Sequence, residues 1–165
     1  MNTAPDSPDA GRRFEDFRLG ETWKSVPTPL SAEEIIAYGL ANDPQPMHTD
    51  PVRAAAGPFG ALVASGWQIA ALSMRVFVQA GGYGATPVVG LGIDELRWQK
   101  PVRAGDVLTV TREVVELRRS STNPAFGIVR TRVTVRNQND ESVMTLLTNG
   151  RVPARSASAA PGDSA

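Results

Sequence analysis

Residues 66–79 read GWQIAALSMRVFVQ, and how this stretch is read decides the fold. Placed on a helical wheel, Trp67, Ile69, Leu72, Met74, Val76 and Phe77 leave almost no polar side. A helix that is apolar all round is one surrounded by the rest of its protein. Gly81-Gly82-Tyr83-Gly84 ends it. A membrane span needs roughly 20 predominantly apolar residues, and the wider segment 59–80 is interrupted by Arg75 and by glycines, so the stretch reads as a core helix. After it, the period changes. Val88–Trp98, Val107–Leu117, Ile128–Asn137 and Ser142–Val152 are rich in β-branched residues. In the third of these, Arg130, Arg132, Thr134 and Arg136 alternate with Val129, Thr131, Val133 and Val135, the pattern of a strand with one wet face. Arg103-Ala104-Gly105-Asp106 and Asn137-Gln138-Asn139-Asp140 supply turns.

Upstream, Ser31-Ala32-Glu33-Glu34 carries a capping box, so a helix is expected over about 32–41. Pro44 and Pro46 stop it near Asp43. Asp50-Pro51 starts a short second helix, which Gly57, Pro58 and Gly60 break. Helices precede strands without βαβ alternation, so the sheet should be antiparallel and the class α+β. Residues 12–152 are expected to form one domain between disordered tails, 1–11 and 153–165.

Composition excludes several functions. The chain has 165 residues, with seventeen Lys+Arg against seventeen Asp+Glu. Zero net charge argues against a nucleic-acid partner, which needs a basic excess. With no cysteine there is no disulfide, no thiolate nucleophile and no zinc–cysteine site. The one histidine, His48, rules out a multi-histidine metal centre. The N-terminus lacks an apolar run and does not read as a secretory signal. A soluble cytoplasmic protein is the expectation. Only two of the basic residues are lysines, Lys24 and Lys100. Arginine forks suit phosphates, although most of these arginines fall on wet strand faces, and no phosphate clamp is assigned.

The loop Asn42-Asp43-Pro44-Gln45-Pro46-Met47-His48 places the histidine five residues after an acid, across a segment stiffened by two prolines. Such a pair can polarise a water and move a proton to or from a substrate carbon. The same residues also suit a turn cap and a packed, hydrogen-bonded histidine, and chemistry alone does not separate these readings. A metal site on His48 and Asp50 has too few ligands. Further on, Ser65-Gly66-Trp67 opens the core helix. Its free N–H groups and positive dipole end suit a developing oxyanion, and Gly66 would admit either a substrate or a tightly packed neighbour.

From Tyr38 to Ser73 the chain resembles the signature of the MaoC-like dehydratases and R-specific enoyl-CoA hydratases. That pattern runs from a tyrosine and small residues to Asp-x-Asn-Pro-x-His, an alanine six residues on, and Ala-His-Gly at the central helix. Tyr38, Asp43, Pro46, His48, Ala54, Ala64 and Gly66 fall on it, and residues 99–106, QKPVRAGD, resemble the family's Pro-Val-x-x-Gly-Asp connector. The resemblance implies a hot-dog fold, a long helix wrapped by a curved antiparallel sheet. It also implies addition or removal of water across the 2,3-double bond of an acyl thioester carried by coenzyme A or acyl carrier protein. Asp43 and His48 would share the water, one taking its proton while the other serves the α-carbon, and the Gly66 N–H would bind the thioester oxygen. No metal or redox cofactor is implied, and a homodimer or higher homo-oligomer is.

Two positions depart from the pattern. Gln45 replaces its asparagine and Ser65 its histidine. With Trp67 and Gln68, which are bulkier or more polar than usual, Gln45 and Ser65 are expected to shape the substrate pocket toward short or polar acyl groups. Two other functions compete. A hot-dog thioesterase would place a carboxylate on the central helix, and 67–80 contains none. A non-catalytic acyl-thioester-binding subunit would not need both Asp43 and His48.

Overall fold

Alternation of β-branched residues in the second half of the chain becomes a single antiparallel sheet. In the computed structural model, which describes residues 11–155, six strands form: β1 (Thr22–Lys24), β2 (Thr28–Pro29), β3 (Val89–Trp98), β4 (Val107–Arg119), β5 (Phe126–Arg136) and β6 (Ser142–Pro153). Their order is β1-β4-β5-β6-β3, with β2 also paired to β4. The four long strands match the expected segments to within two residues. The short strands β1 and β2 had no signal, because two or three residues are too few for a period to register. Leu108, Val110, Arg112 and Val114 of β4 and Val129, Thr131, Val133 and Val135 of β5 point to the covered face, as the alternation required.

Four α-helices accompany the sheet among the described residues: α1 (Ala32–Asn42), α2 (Pro46–Thr49), α3 (Pro51–Ala55) and α4 (Gly66–Gln79). The capping box at Ser31 and Glu34 is formed in both directions. Pro46 stops one helix and begins another. It occupies the first turn of α2, where its missing N–H is unneeded, and the sequence reading had only the stop. α4 ends in a Schellman motif, with Gly81 at φ 77° and the Gly82 N–H bonded to the Phe77 carbonyl at 3.0 Å. None of the helices is long and apolar enough to cross a membrane.

α4 lies on the sheet. Ile69 and Leu72 enter a core with Leu30, Ile35, Val110, Val133, Val135 and Met144. Each such buried side chain stabilises the fold by roughly 1.5–3 kcal/mol relative to exposure. The expectation that α4 is enclosed on all sides is not met. Trp67, Met74 and Val78 are exposed, and so are Val89, Leu91 and Ile93 of the edge strand β3. Period counting detects apolarity but cannot say whether the covering layer belongs to the same chain.

At the C-terminal end of α4, Arg112 is 4% exposed. Its guanidinium stacks on Phe77, 4.2 Å from the ring centroid, and donates to the Tyr83 hydroxyl at 3.1 Å. Burial lowers its pKa. At the chain's far end, Pro153 completes β6 and Arg155 pairs with Asp16 at 2.7 Å, so order runs past the expected boundary at 152. Gly11, placed in the N-terminal tail, packs near Thr86. The rest of both expected tails, 1–10 and 156–165, lies outside the described residues.

Candidate active site

The Asp43–His48 loop is held by backbone on two sides. The Asp43 N–H closes α1 on the Gly39 carbonyl at 2.9 Å. Gly39 is also where α2 comes closest: a Cβ there would lie 2.7 Å from the His48 carbonyl oxygen. On the other side runs the extended segment 62–65. The Val63 N–H bonds to the Met47 carbonyl at 3.1 Å, and the Ala64 N–H to the Val102 carbonyl at 2.8 Å.

These constraints bring the predicted pair together. His48 Nε2 lies 3.3 Å from Asp43 Oδ2. His48 Nδ1 lies 2.7 Å from the Val63 carbonyl oxygen. A carbonyl can only accept, so Nδ1 carries a proton and Nε2 is the atom presented to Asp43. His48 is buried, whereas the Asp43 side chain keeps 20% of its exposure. The pair therefore has one open side, at the carboxylate.

Both unusual residues bond to that carboxylate. Gln45 Nε2 donates to Asp43 Oδ1 at 2.8 Å, and the Ser65 hydroxyl donates to Oδ2 at 2.7 Å. The Gln45 amide, then the Ser65 hydroxyl, hold the Asp43 carboxyl below its ordinary pKa against the opposing effect of burial, and His48 adds a smaller Coulombic pull. A carboxylate so held is an acceptor at neutral pH.

Gly66 follows Ser65 as the first residue of α4, where the helix itself leaves its N–H unbonded. The space a Cβ would take at Gly66 is filled by the Trp98 indole, 2.4 Å away, so the tight-packing reading of this glycine holds for its side-chain position. Trp98 is joined edge-on by Trp67, with centroids 5.3 Å apart, and both rings remain half exposed. Trp67 thus stands at the helix mouth. Gln68 turns to α1, where its amide donates to the Glu34 carbonyl at 3.0 Å and its Oε1 has no hydrogen-bond partner among the described residues. Three contributors escaped the sequence reading: the Val63 carbonyl, Gly39 and Trp98. Only Gly39 carried a signal, a glycine inside a strong helix.

Comparison with known proteins places the chain in a family. Residues 16–137 match the model of the MaoC like domain. The uncharacterized protein YdeM of Bacillus subtilis is 28% identical over 79% of this chain and 92% of its own length. A mesaconyl-CoA hydratase of Cereibacter sphaeroides is 33% identical over 83% of this chain, which spans only 40% of that protein. The crystal structure of a MaoC-like dehydratase from Rhodospirillum rubrum superposes with a TM-score of 0.78 at 34% identity, covering 89% of this chain and all of that one. The architecture is the hot-dog fold.

Proposed function

This chain belongs to the MaoC-like family, and from that premise we propose that it hydrates a trans-2-enoyl thioester, or dehydrates the 3-hydroxyacyl thioester, using Asp43 and His48. One observation carries the reading: Nδ1 of His48 is committed to the Val63 carbonyl, so Nε2 faces Asp43, the more exposed member of the pair, across 3.3 Å. The similarity to a mesaconyl-CoA hydratase supports an acyl-thioester substrate.

A water bonded to the Asp43 carboxylate stands beside Nε2. As its oxygen forms the bond to C3, one proton passes to Nε2 and the π pair moves into the thioester, generating an enolate. The Gly66 N–H receives the oxyanion. The enolate then collapses, and C2 takes the proton back from Nε2. A single proton carrier on one face gives syn addition. Asp43, kept ionised by its donors, orients the water and balances the imidazolium. No metal or redox cofactor enters, because the thioester itself acidifies C2.

The test is loss of enoyl absorbance with crotonyl-CoA. The parent is expected to hydrate it, and Asp43→Asn and His48→Ala each to lose roughly 10²–10⁴-fold in kcat. A parent inert toward crotonyl-CoA and toward branched and dicarboxylic enoyl-CoAs refutes the reading.

The unpartnered surface supports pairing with a second copy of the chain. β3 ends the sheet with its outer backbone groups unbonded within it; its Leu91 and Ile93 are exposed, and so are Met74 and Val78 of α4. An antiparallel partner strand satisfies that edge, and a second such helix face covers the apolar stripe. Light scattering is expected to give a dimer or a multiple of it, and Ile93→Arg a smaller species. A monomeric parent refutes the pairing.

A further inference from the structure

We propose that Ser65 and Gln45 form a two-point clamp that aligns the Asp43 carboxylate with His48, Ser65 doing so without contacting substrate; the catalytic part of this inference rests on the hydratase reading. Ser65 is 1% exposed, so no substrate atom can reach it. Its hydroxyl has two tasks. It accepts the Trp67 N–H at 3.3 Å, capping α4, and donates to Asp43 Oδ2 at 2.7 Å. One oxygen thereby joins the element that presents the Gly66 N–H to the loop that presents the acid. Gln45 takes the other carboxylate oxygen at 2.8 Å.

The two donors leave the carboxylate little rotational freedom. A carboxylate offers about four lone-pair directions. One is used by Gln45 and one by Ser65, and a third faces His48 Nε2. What remains is free to accept from the water of the proposed reaction. Gln45, Ser65 and His48 are the groups that act on this carboxyl, and His48 is the one charged or titratable group among them. The two departures from the family pattern therefore compensate each other at one acid. A serine hydroxyl is shorter than an imidazole, and a glutamine reaches one methylene further than an asparagine.

His48 is the only histidine, so its Cε1–H proton resonance reports this site without ambiguity. In the parent, that resonance is expected to report the Asp43 ionisation as an inflection below aspartate's ordinary value, absent from Asp43→Asn. Ser65→Gly removes the donor while costing the helix cap only a few tenths of a kcal/mol, and is expected to move the inflection upward. Ser65→Thr restores it. Gln45→Leu, at an exposed side chain, moves it in the same direction and serves where Ser65→Gly fails to fold. In turnover, Ser65→Gly should lose roughly ten- to hundredfold in kcat with KM within about twofold. An unmoved inflection in folded Ser65→Gly and Gln45→Leu overturns the clamp, as does a loss confined to KM. A shifted inflection in a protein inert toward every enoyl-CoA upholds the alignment and overturns the hydratase reading alone.

Discussion

Replacing Gly39 by alanine tests whether the approach of α1 to α2 sets the active site. The added methyl would lie 2.7 Å from the His48 carbonyl oxygen, 3.0 Å from Thr49 Cγ2 and 3.1 Å from the His48 carbonyl carbon. Ordinary contact begins near 3.4 Å, so α2 must retreat by about 0.7 Å. The nearest atom is a backbone carbonyl oxygen and cannot swing aside, as the Thr49 methyl can. The same residue's carbonyl accepts the Asp43 N–H, so both members of the pair move relative to each other. Displacement by about 1 Å can cost 10²-fold in rate, which makes a ten- to hundredfold loss of kcat the expected result. Stability should change less. Alanine gains about 1 kcal/mol in helix propensity, set against roughly 1–3 kcal/mol of overpacking. Crotonyl-CoA hydration and a denaturant melt measure the two effects separately. Full kcat in a variant as stable as the parent refutes the claim that this contact positions His48.

Gly66→Ala drives a methyl into the Trp98 indole, a ring with a free side to turn toward. The variant should fold with a loss of roughly 1–3 kcal/mol and altered tryptophan fluorescence. Trp98→Ala should relieve that loss, and a double-mutant cycle showing no coupling would sink the contact. Arg112→Ala is expected to lose roughly 2–4 kcal/mol through the cavity left beneath Phe77, while Arg112→Met, which fills the space without a buried charge, should stay within about 1.5 kcal/mol of the parent. Equal losses in chemical denaturation would show that the charge itself is required. Asp16 is held below its ordinary value of 3.8 by the Arg13 backbone N–H and, less strongly, by the Arg155 side chain. A depressed folded-state pKa contributes stability that is present above 3.8 and lost as pH falls through the lower value. Asp16→Asn should therefore flatten the acid limb of a stability-versus-pH curve below about pH 4, and an unchanged limb would contradict it.

Some of this was written locally. The capping box of α1 is legible because its hydrogen bonds close within three residues, from Ser31 to Glu34. The four long strands are legible because alternation is a property of consecutive residues and their turns are made by Gly, Asn and Asp. The choice of Asp43 and His48 as candidates came from residue type and from two prolines between them. Tertiary structure decided the rest. His48 is aimed by a carbonyl fifteen positions away, and Asp43 by a hydroxyl twenty-two away. Ser65 and Gln45, expected to shape the pocket, are both bonded to the acid, which no spacing along the chain encodes. The apolar circumference of α4 was visible in the sequence, but which part of it the chain's own sheet covers was not. Sequence determined which groups seek burial or a hydrogen bond over a few residues; only the fold determined which distant group answers each one, because that depends on chain segments meeting in space.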